Sequence, residues 1–259
     1  MPTPEKRYLK NHRAHDVHAL MRRWKSIATK AGLVPVRLGK QEGFVVTAFR
    51  PRIKYPDGSP WIYLSAGVHG DEPAAPLGLI EWAEENIELL AKYPFLIIPC
   101  FCPWSIANNS RNGPDGEDPN RNFNHPAFGY MRTWQDFVAR KNLRLAISLH
   151  EDYDANGTYV YELSNRNEFR AEVYLKAAER AIPPEPCNSI EGMRSKNGVI
   201  RRKRKAPDMP GLPETLYLHQ KGAEVAMTFE TPSEYSLYHR ANAHRLFISA
   251  AVKYIVKNP

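Results

Sequence analysis

Apolar residues recur along the chain with the two spacings that distinguish helices from strands. Short apolar runs predict strands at residues 33–38, 44–49, 61–68, 95–101, 143–149, 158–163 and 224–229. Apolar positions three and four residues apart predict helices at residues 16–31, from residue 73 onward, and at 133–141, 167–181, 212–220 and 233–256. Because strands alternate with helices, we expect a single α/β domain over residues 1–259, with a mixed, largely parallel β-sheet flanked by helices on both faces.

Turn-forming and capping residues set the ends of several of these elements. The first helix stops at Gly32, and residues 39–43 join the first two strands as a hairpin. Pro73 opens a helix, and Asn167 is predicted to cap another. The helix after Pro73 is expected to be a single helix whose apolar face contains Leu77, Ile80, Ala83, Ile87 and Leu90.

Two long segments, residues 104–132 and 183–213, lack a clear period and are rich in Pro, Gly, Asn and charge. Irregular segments of this length inside a compact domain are more often functional than incidental. We therefore expect both segments to contribute to the function of the domain.

The composition excludes several classes of protein. Of the 259 residues, 42% are hydrophobic and 25% are charged, and no apolar run reaches the roughly 18 residues that a membrane helix requires. Charges interrupt residues 1–20 before the apolar stretch of a secretory leader can form, so we expect a cytoplasmic protein. Cys100, Cys102 and Cys187 are too few for a disulfide framework and are expected to be reduced.

The net charge of +8 is concentrated in one place. Residues 201–205 are five consecutive basic residues, and without them the chain would carry +3. Such a run is usually a solvated surface, although it can also attract an acidic partner. Nucleic-acid binding is a weaker alternative, because no aromatic stacking platform or known motif accompanies the run.

Chemically capable side chains follow three of the predicted strands. His69 and Glu72 come after the strand at 61–68, His150 follows 143–149, and Glu230 follows 224–229. Ligands of parallel sheets bind at the carboxyl ends of strands. Two imidazoles and one carboxylate form the three-ligand set that leaves a zinc position open for water. His244, by contrast, lies on the apolar stripe of the closing helix and is expected to be a core residue.

A longer motif carries a family resemblance. Residues 111–123, which begin with Arg111, end in Asp118-Pro119-Asn120-Arg121-Asn122-Phe123. This segment, together with the strand-end residues, resembles the zinc carboxypeptidases of the carboxypeptidase A type over most of the chain. The resemblance implies a zinc carboxypeptidase-like fold (phosphorylase/hydrolase-like) and one Zn²⁺ held by His69, Glu72 and His150.

The resemblance also implies a role for each remaining site residue. Glu230 is expected to be the general base and acid, and Arg111 to stabilise the oxyanion. Asn120 and Arg121 are expected to bind a free carboxylate of the substrate, because a guanidinium pairs with a carboxylate in a bidentate fashion. The expected reaction is therefore hydrolysis of the amide bond of a residue with a free carboxylate, with acidic substrates preferred if the basic run steers them. Tyr217 is the nearest candidate for the family's mobile tyrosine. The resemblance also implies that residues 183–213, upstream of Glu230, form the substrate-entrance loop.

Alternatives remain at this point. Deacylases resembling succinylglutamate desuccinylase and aspartoacylase use similar zinc, arginine and glutamate positions on N-acyl amino acids. Those proteins carry a further β-rich domain after the glutamate, whereas here 29 residues follow Glu230 and are predicted to form one helix, which favours the peptidase interpretation. Two further alternatives are a member of the fold without catalytic activity and a non-enzymatic binding module that uses the basic run.

Overall fold

A computed structural model of the chain describes residues 2–125, 129–166, 168–202 and 211–258. Asn167, the predicted helix cap, and residues 203–205 of the basic run lie outside the described residues.

The described residues form helices and strands that alternate along most of the chain. The helices are α1 (Pro4–Asn11), α2 (Val17–Ala31), α3 (Ala74–Glu85), α4 (Ile87–Lys92), α5 (Pro103–Asn108), α6 (Gly129–Val138), α7 (Ala171–Ala178), α8 (Glu214–Gln220) and α9 (Leu237–Lys257). The strands are β1 (Leu33–Gln41), β2 (Phe44–Pro51), β3 (Pro60–Ala66), β4 (Phe95–Ile98), β5 (Asn142–Asp152), β6 (Tyr159–Ser164), β7 (Ser189–Ile190), β8 (Met193–Arg194), β9 (Val199–Arg202) and β10 (Val225–Pro232).

Eight of these strands form one mixed sheet in the order β1-β2-β4-β3-β5-β10-β6-β9. The central strands β4, β3, β5 and β10 are parallel, whereas β1, β2 and β6 join the sheet antiparallel to a neighbour. The prediction of a single α/β domain with a mixed, largely parallel sheet is confirmed. Its parallel centre aligns the carboxyl ends of three consecutive neighbours, β3, β5 and β10.

Helices cover both faces of the sheet. Along β3, Ile62 and Leu64 join a core that includes α2, α3, α7 and α9, whereas Trp61 and Tyr63 join a core that includes α6 and α8. Side chains of successive strand residues point to opposite faces, so a strand buried on both sides needs a continuous apolar run. The uninterrupted sequence from Trp61 to Leu64 meets that requirement.

Local signals predicted some helix ends correctly and others incorrectly. α2 has Asp16 as its N-cap and Gly32, in the left-handed conformation, as its C-cap. The single helix expected after Pro73 is instead two helices, which separate at Asn86. The Asn86 side chain donates to the Trp82 carbonyl, and the Asn86 backbone N–H donates to the Ala83 carbonyl. These bonds end α3 before the predicted stripe reaches Ile87 and Leu90.

Two further helices begin elsewhere than predicted. α6 starts at Gly129 rather than near residue 133. α7 starts at Ala171, and the N–H groups of Arg170 and Ala171 both donate to Oε1 of Glu162, at 2.6 and 2.9 Å. A carboxylate from the neighbouring strand β6 therefore caps α7, where a residue at position 167 was expected to do so.

The three cysteines form no disulfide in the structure. Cys100 and Cys102 are buried, just beyond the end of β4, and Cys187 is exposed. Among the described residues, no helix combines the length and the apolar character needed to cross a membrane.

His244 provides a pH-dependent test of the core. It is fully buried on α9, where Nε2 lies 3.1 Å from Oγ1 of Thr231, and burial together with the charge of Arg240 lowers the pKa of His244 to about 3. In the unfolded chain His244 has a pKa of 6.5 and binds a proton below that pH, whereas in the folded protein it stays neutral down to about pH 3. The free energy of unfolding therefore decreases as the pH drops from 6.5 toward 3. This contribution approaches 1.4 kcal/mol per pH unit, as an order-of-magnitude figure.

Replacing His244 by glutamine should therefore flatten the acid side of the stability curve. Urea unfolding of both proteins between pH 4 and 7.5 measures the difference. Curves that run parallel for the wild type and for His244→Gln would contradict this assignment.

Candidate active site

The three strand ends named in the sequence analysis meet at one edge of the sheet. On the parallel strands β5 and β10, His150 and Glu230 are direct register partners. Both strands continue past the predicted ends, to Asp152 and Pro232, so these two side chains lie within the strands rather than after them. Their partnership places the candidate base next to the candidate metal ligand.

The turn after β3 brings His69 and Glu72 back toward β5. Gly70 lies at its centre, where its N–H donates to the Ser110 carbonyl at 2.8 Å. A side chain here would place its Cβ only 1.9 Å from the carbonyl of Ser105, so the position requires glycine. The close approach of α5 thereby fixes the turn and both of its polar side chains.

His69, Glu72 and His150 converge as buried neighbours, and their potential ligand atoms all lie within 4.8 Å of one another. Nδ1 of His69 lies 2.5 Å from Oε1 of Glu72, and Nδ1 of His150 lies 2.8 Å from Oε2 of the same carboxylate. Within the described ranges, no other group of three His, Cys, Asp or Glu side chains converges in this way.

The other ring nitrogens have separate partners. Nε2 of His69 lies 3.0 Å from Oδ1 of Asp118, and Nε2 of His150 lies 3.1 Å from Oγ of Ser148. Metal-ligating histidines characteristically donate their remaining N–H to such an outer partner, which leaves the facing nitrogen for the metal. The donor set of two nitrogens and one carboxylate fits zinc.

Electrostatics favour a cation at this point. Burial by itself raises the pKa of Glu72, but the two imidazoles outweigh burial and hold that pKa well below its usual range. Burial alone lowers the pKa of His69, yet the carboxylates of Glu72 and Asp118 raise it to about 9. Without a metal, the imidazoles therefore keep protons that they share with the Glu72 carboxylate, and metal binding would release those protons.

Glu230 is partly buried beside this cluster. Burial raises the pKa of Glu230 to about 8, the charge of His150 opposes the rise, and neighbouring carboxylates add to it. A carboxylate that binds protons more strongly than usual is suited to accept one from a reacting group.

Arg111 contacts the cluster through Glu72 and His69. Its guanidinium is 3.2 Å from Oδ2 of Asp118 and 3.6 Å from Oε1 of Glu72. The side chain is about half exposed, and Arg111 lines the pocket. Asp118 contacts both Arg111 and His69, so one carboxylate holds the arginine beside the candidate metal ligand.

The motif at residues 118–123 has a structural explanation for nearly every side chain. Asp118 caps a short 3-10 turn by accepting from the N–H of Asn120 at 2.8 Å, and Asn122 donates to the Asp118 carbonyl. Phe123 is fully buried and anchors the segment. Oδ1 of Asn120 accepts the N–H of Glu214 at 3.0 Å, and Asn120 lines the pocket.

All seven predicted site residues border one pocket of about 180 Å³. They are His69, Glu72, Arg111, Asn120, Arg121, His150 and Glu230. Arg121 is exposed there. Tyr217 is not among the lining residues, since it is buried on α8 with its ring 5.1 Å from that of Trp134. The lining also contains residues that the sequence analysis did not select, among them Tyr159, Tyr161, Glu191, Thr215 and Thr228.

The segment predicted as an entrance loop contributes to this pocket, but its basic run differs from the expectation. Glu191, at the turn between β7 and β8, lines the pocket and accepts the Tyr161 hydroxyl at 2.6 Å. Arg201 belongs to strand β9, where it pairs with Glu172 at 3.0 Å and lies 3.6 Å from Glu162. It is therefore an ion-paired strand residue rather than a free cation of a loop.

The sequence analysis also missed a buried polar cluster behind His150. Ser148 and Ser65 both donate to Oε2 of Glu214, at 2.6 and 2.8 Å, and all three side chains are buried. The sequence could have indicated Ser148, because residues 148 and 150 of one strand point to the same face of the sheet. Nothing local pointed to Glu214, which is 66 residues away from Ser148.

Comparisons with known proteins agree with this geometry at the level of the fold. No protein-family model and no curated protein matches the sequence. Among solved structures, a candidate metallopeptidase from Shewanella denitrificans superposes with a TM-score of 0.81 at 20% identity, covering 93% of this chain and 91% of that one. A metallo-carboxypeptidase from Burkholderia cenocepacia gives a TM-score of 0.69 at 14% identity, covering 93% of this chain and 69% of that one.

A metallo-carboxypeptidase from Pseudomonas aeruginosa, in complex with (2-guanidinoethylmercapto)succinic acid, gives a TM-score of 0.67 at 18% identity, covering 93% of this chain and 68% of that one. These identities establish architecture rather than activity. The sheet order, the two helical layers and the superpositions lead to one conclusion: the chain has the fold of the metallo-carboxypeptidases.

Proposed function

We propose that this protein is a zinc-dependent carboxypeptidase-like hydrolase that removes a residue bearing a free carboxylate. The observation that carries the proposal is the convergence of His69, Glu72 and His150, with Glu230 as the register partner of His150, in one pocket. Zinc bound there would lower the pKa of water and polarise the scissile carbonyl.

The remaining residues supply proton transfer and charge stabilisation. Glu230 accepts the proton of the attacking water and passes it to the leaving amine nitrogen, so the base is regenerated in each cycle. Arg111 directs its guanidinium into the pocket, where it stabilises the negative charge that develops on the carbonyl oxygen.

Asn120 and Arg121 are proposed to bind the terminal carboxylate. The Nδ2 donor of Asn120 is fixed by the hydrogen bond of its Oδ1 to α8, and Arg121 supplies a forked donor beside it. The ligand of the Pseudomonas neighbour is a succinic acid derivative and so carries carboxylates. That ligand supports the proposal that the pocket of this chain binds a carboxylate.

Removing the guanidinium of Arg121 should weaken recognition of the chain end. Because Arg121 is exposed, we expect Arg121→Ala to cost about 1.5–3 kcal/mol in kcat/KM, or roughly 10- to 150-fold, for a free-acid peptide. Arg132→Ala is the matched control, since Arg132 is an exposed arginine on α6 outside the pocket.

The proposed activity itself is tested with two peptides that differ only in a free or an amidated C-terminus, digested by the zinc-loaded protein and read out by mass spectrometry. We expect loss of one C-terminal residue from the free acid and slow or no cleavage of the amide. Equal cleavage of the two peptides would overturn chain-end recognition. Cleavage of N-acyl amino acids with no cleavage of either peptide would favour the deacylase alternative.

A preference for acidic substrates stays a prediction. Since Arg201 is ion-paired, any steering must come from the other basic residues of the run.

A further inference from the structure

We propose that Glu214 is a positioning residue for the metal ligand His150, and that it acts through Ser148 to set the affinity of the site for zinc. The inference rests on the metal site of the proposed function. It concerns a buried carboxylate to which neither the general-base step nor carboxylate binding assigns a role.

The direction of the hydrogen bonds around Glu214 follows from a group that can donate but cannot accept. The indole of Trp134 can only donate, and it donates to the Tyr63 hydroxyl oxygen at 2.9 Å. The Tyr63 hydrogen is then directed to Oε1 of Glu214, with which Tyr63 forms a short hydrogen bond. Glu214 is thus an acceptor on that side.

The same reasoning applies on the side of the metal ligand. Ser148 donates its hydrogen to Oε2 of Glu214 at 2.6 Å, so its oxygen is free to accept. Nε2 of His150, 3.1 Å from that oxygen, is therefore the protonated nitrogen of the ring. Nδ1, which lies 2.8 Å from Oε2 of Glu72, is then the ring nitrogen that would bind the metal.

The position of Glu214 strengthens this argument. It is the first residue of α8 and 1% exposed, and its backbone N–H holds Asn120. A single buried residue therefore connects the metal ligand to the carboxylate-binding asparagine. Partners of this kind typically change metal affinity by 10- to 100-fold when they are removed.

The structure offers a matched control. Ser65 and Ser148 are register partners on β3 and β5, both are buried, and both donate to the same oxygen of Glu214. Only Ser148 also contacts His150. Ser65→Ala and Ser148→Ala thus remove the same group from the same cluster, and they differ in the link to the metal ligand.

The test measures the zinc dissociation constant of each purified variant by competition with a chromophoric chelator, together with the absorption spectrum of the Co²⁺-loaded form and a thermal unfolding curve. Ser148→Ala should bind zinc about 10- to 100-fold more weakly with an altered Co²⁺ spectrum, while Ser65→Ala stays close to the wild type. Glu214→Gln should weaken binding as well, and the double variant Ser148→Ala/Glu214→Gln should lose less than the sum of the two.

Unchanged zinc binding in Ser148→Ala, or an equal loss in Ser65→Ala, would overturn the inference while leaving the metal site itself standing. Absence of zinc binding by the wild type would instead overturn the proposed function. If Glu214→Gln does not fold, the pair of serine variants still decides the question.

Discussion

Replacing Glu230 by glutamine is expected to lower kcat by about 10²-fold or more while zinc affinity stays close to that of the wild type. Glutamine keeps the size and polarity of the side chain, but its amide cannot accept the proton of the attacking water. Glu230 is not among the three converging ligand residues, so metal binding should not depend on it.

Steady-state kinetics on a free-acid peptide measure kcat and KM, and the zinc content of the same preparation serves as an internal control. A kcat near that of the wild type would remove Glu230 from the mechanism. A loss of zinc that parallels the loss of kcat would instead make Glu230 a ligand.

The second large effect concerns the metal ligands. The double variant His69→Ala/His150→Ala removes both nitrogens of the set, which leaves one carboxylate, too few ligands for a zinc site. We expect this variant to lose bound zinc and with it essentially all peptidase activity. Elemental analysis of the purified protein should give about one zinc per wild-type chain.

The matched control is His12→Ala/His18→Ala, which replaces two exposed histidines outside the pocket. This control should retain both zinc and activity. Full zinc occupancy in the His69→Ala/His150→Ala protein would show that the metal binds elsewhere.

The fold was predictable where the signals were local. Asp16 and Gly32 delimit α2 because a cap and a left-handed residue act within one turn of the helix end. The break between α3 and α4 at Asn86 was not predictable, because Ile87 and Leu90 continue the apolar period of α3. Periodicity reports which face is buried and is insensitive to a local break between two helices that share that face.

Long-range contacts limited the rest of the prediction. The cap of α7 is the Glu162 carboxylate of another element, and Arg201 is neutralised in part by Glu172. Neither pairing has a sequence signature, because sheet register and helix packing determine it.

The candidate site follows the same division. His69, Glu72, His150 and Glu230 were found because strand ends are visible in sequence and parallel strands bring them together. Glu214 was missed, because a glutamate on a short helix normally faces solvent and only the fold buries it.

The most direct test of the metal centre is anomalous X-ray diffraction from crystals of the zinc-loaded protein, recorded above and below the zinc absorption edge. We predict a single strong anomalous difference peak, enclosed by Nδ1 of His69, Nδ1 of His150 and the carboxylate of Glu72. A pocket without such a peak, or a peak of comparable height only at other residues, would contradict the assignment of this site as a zinc centre.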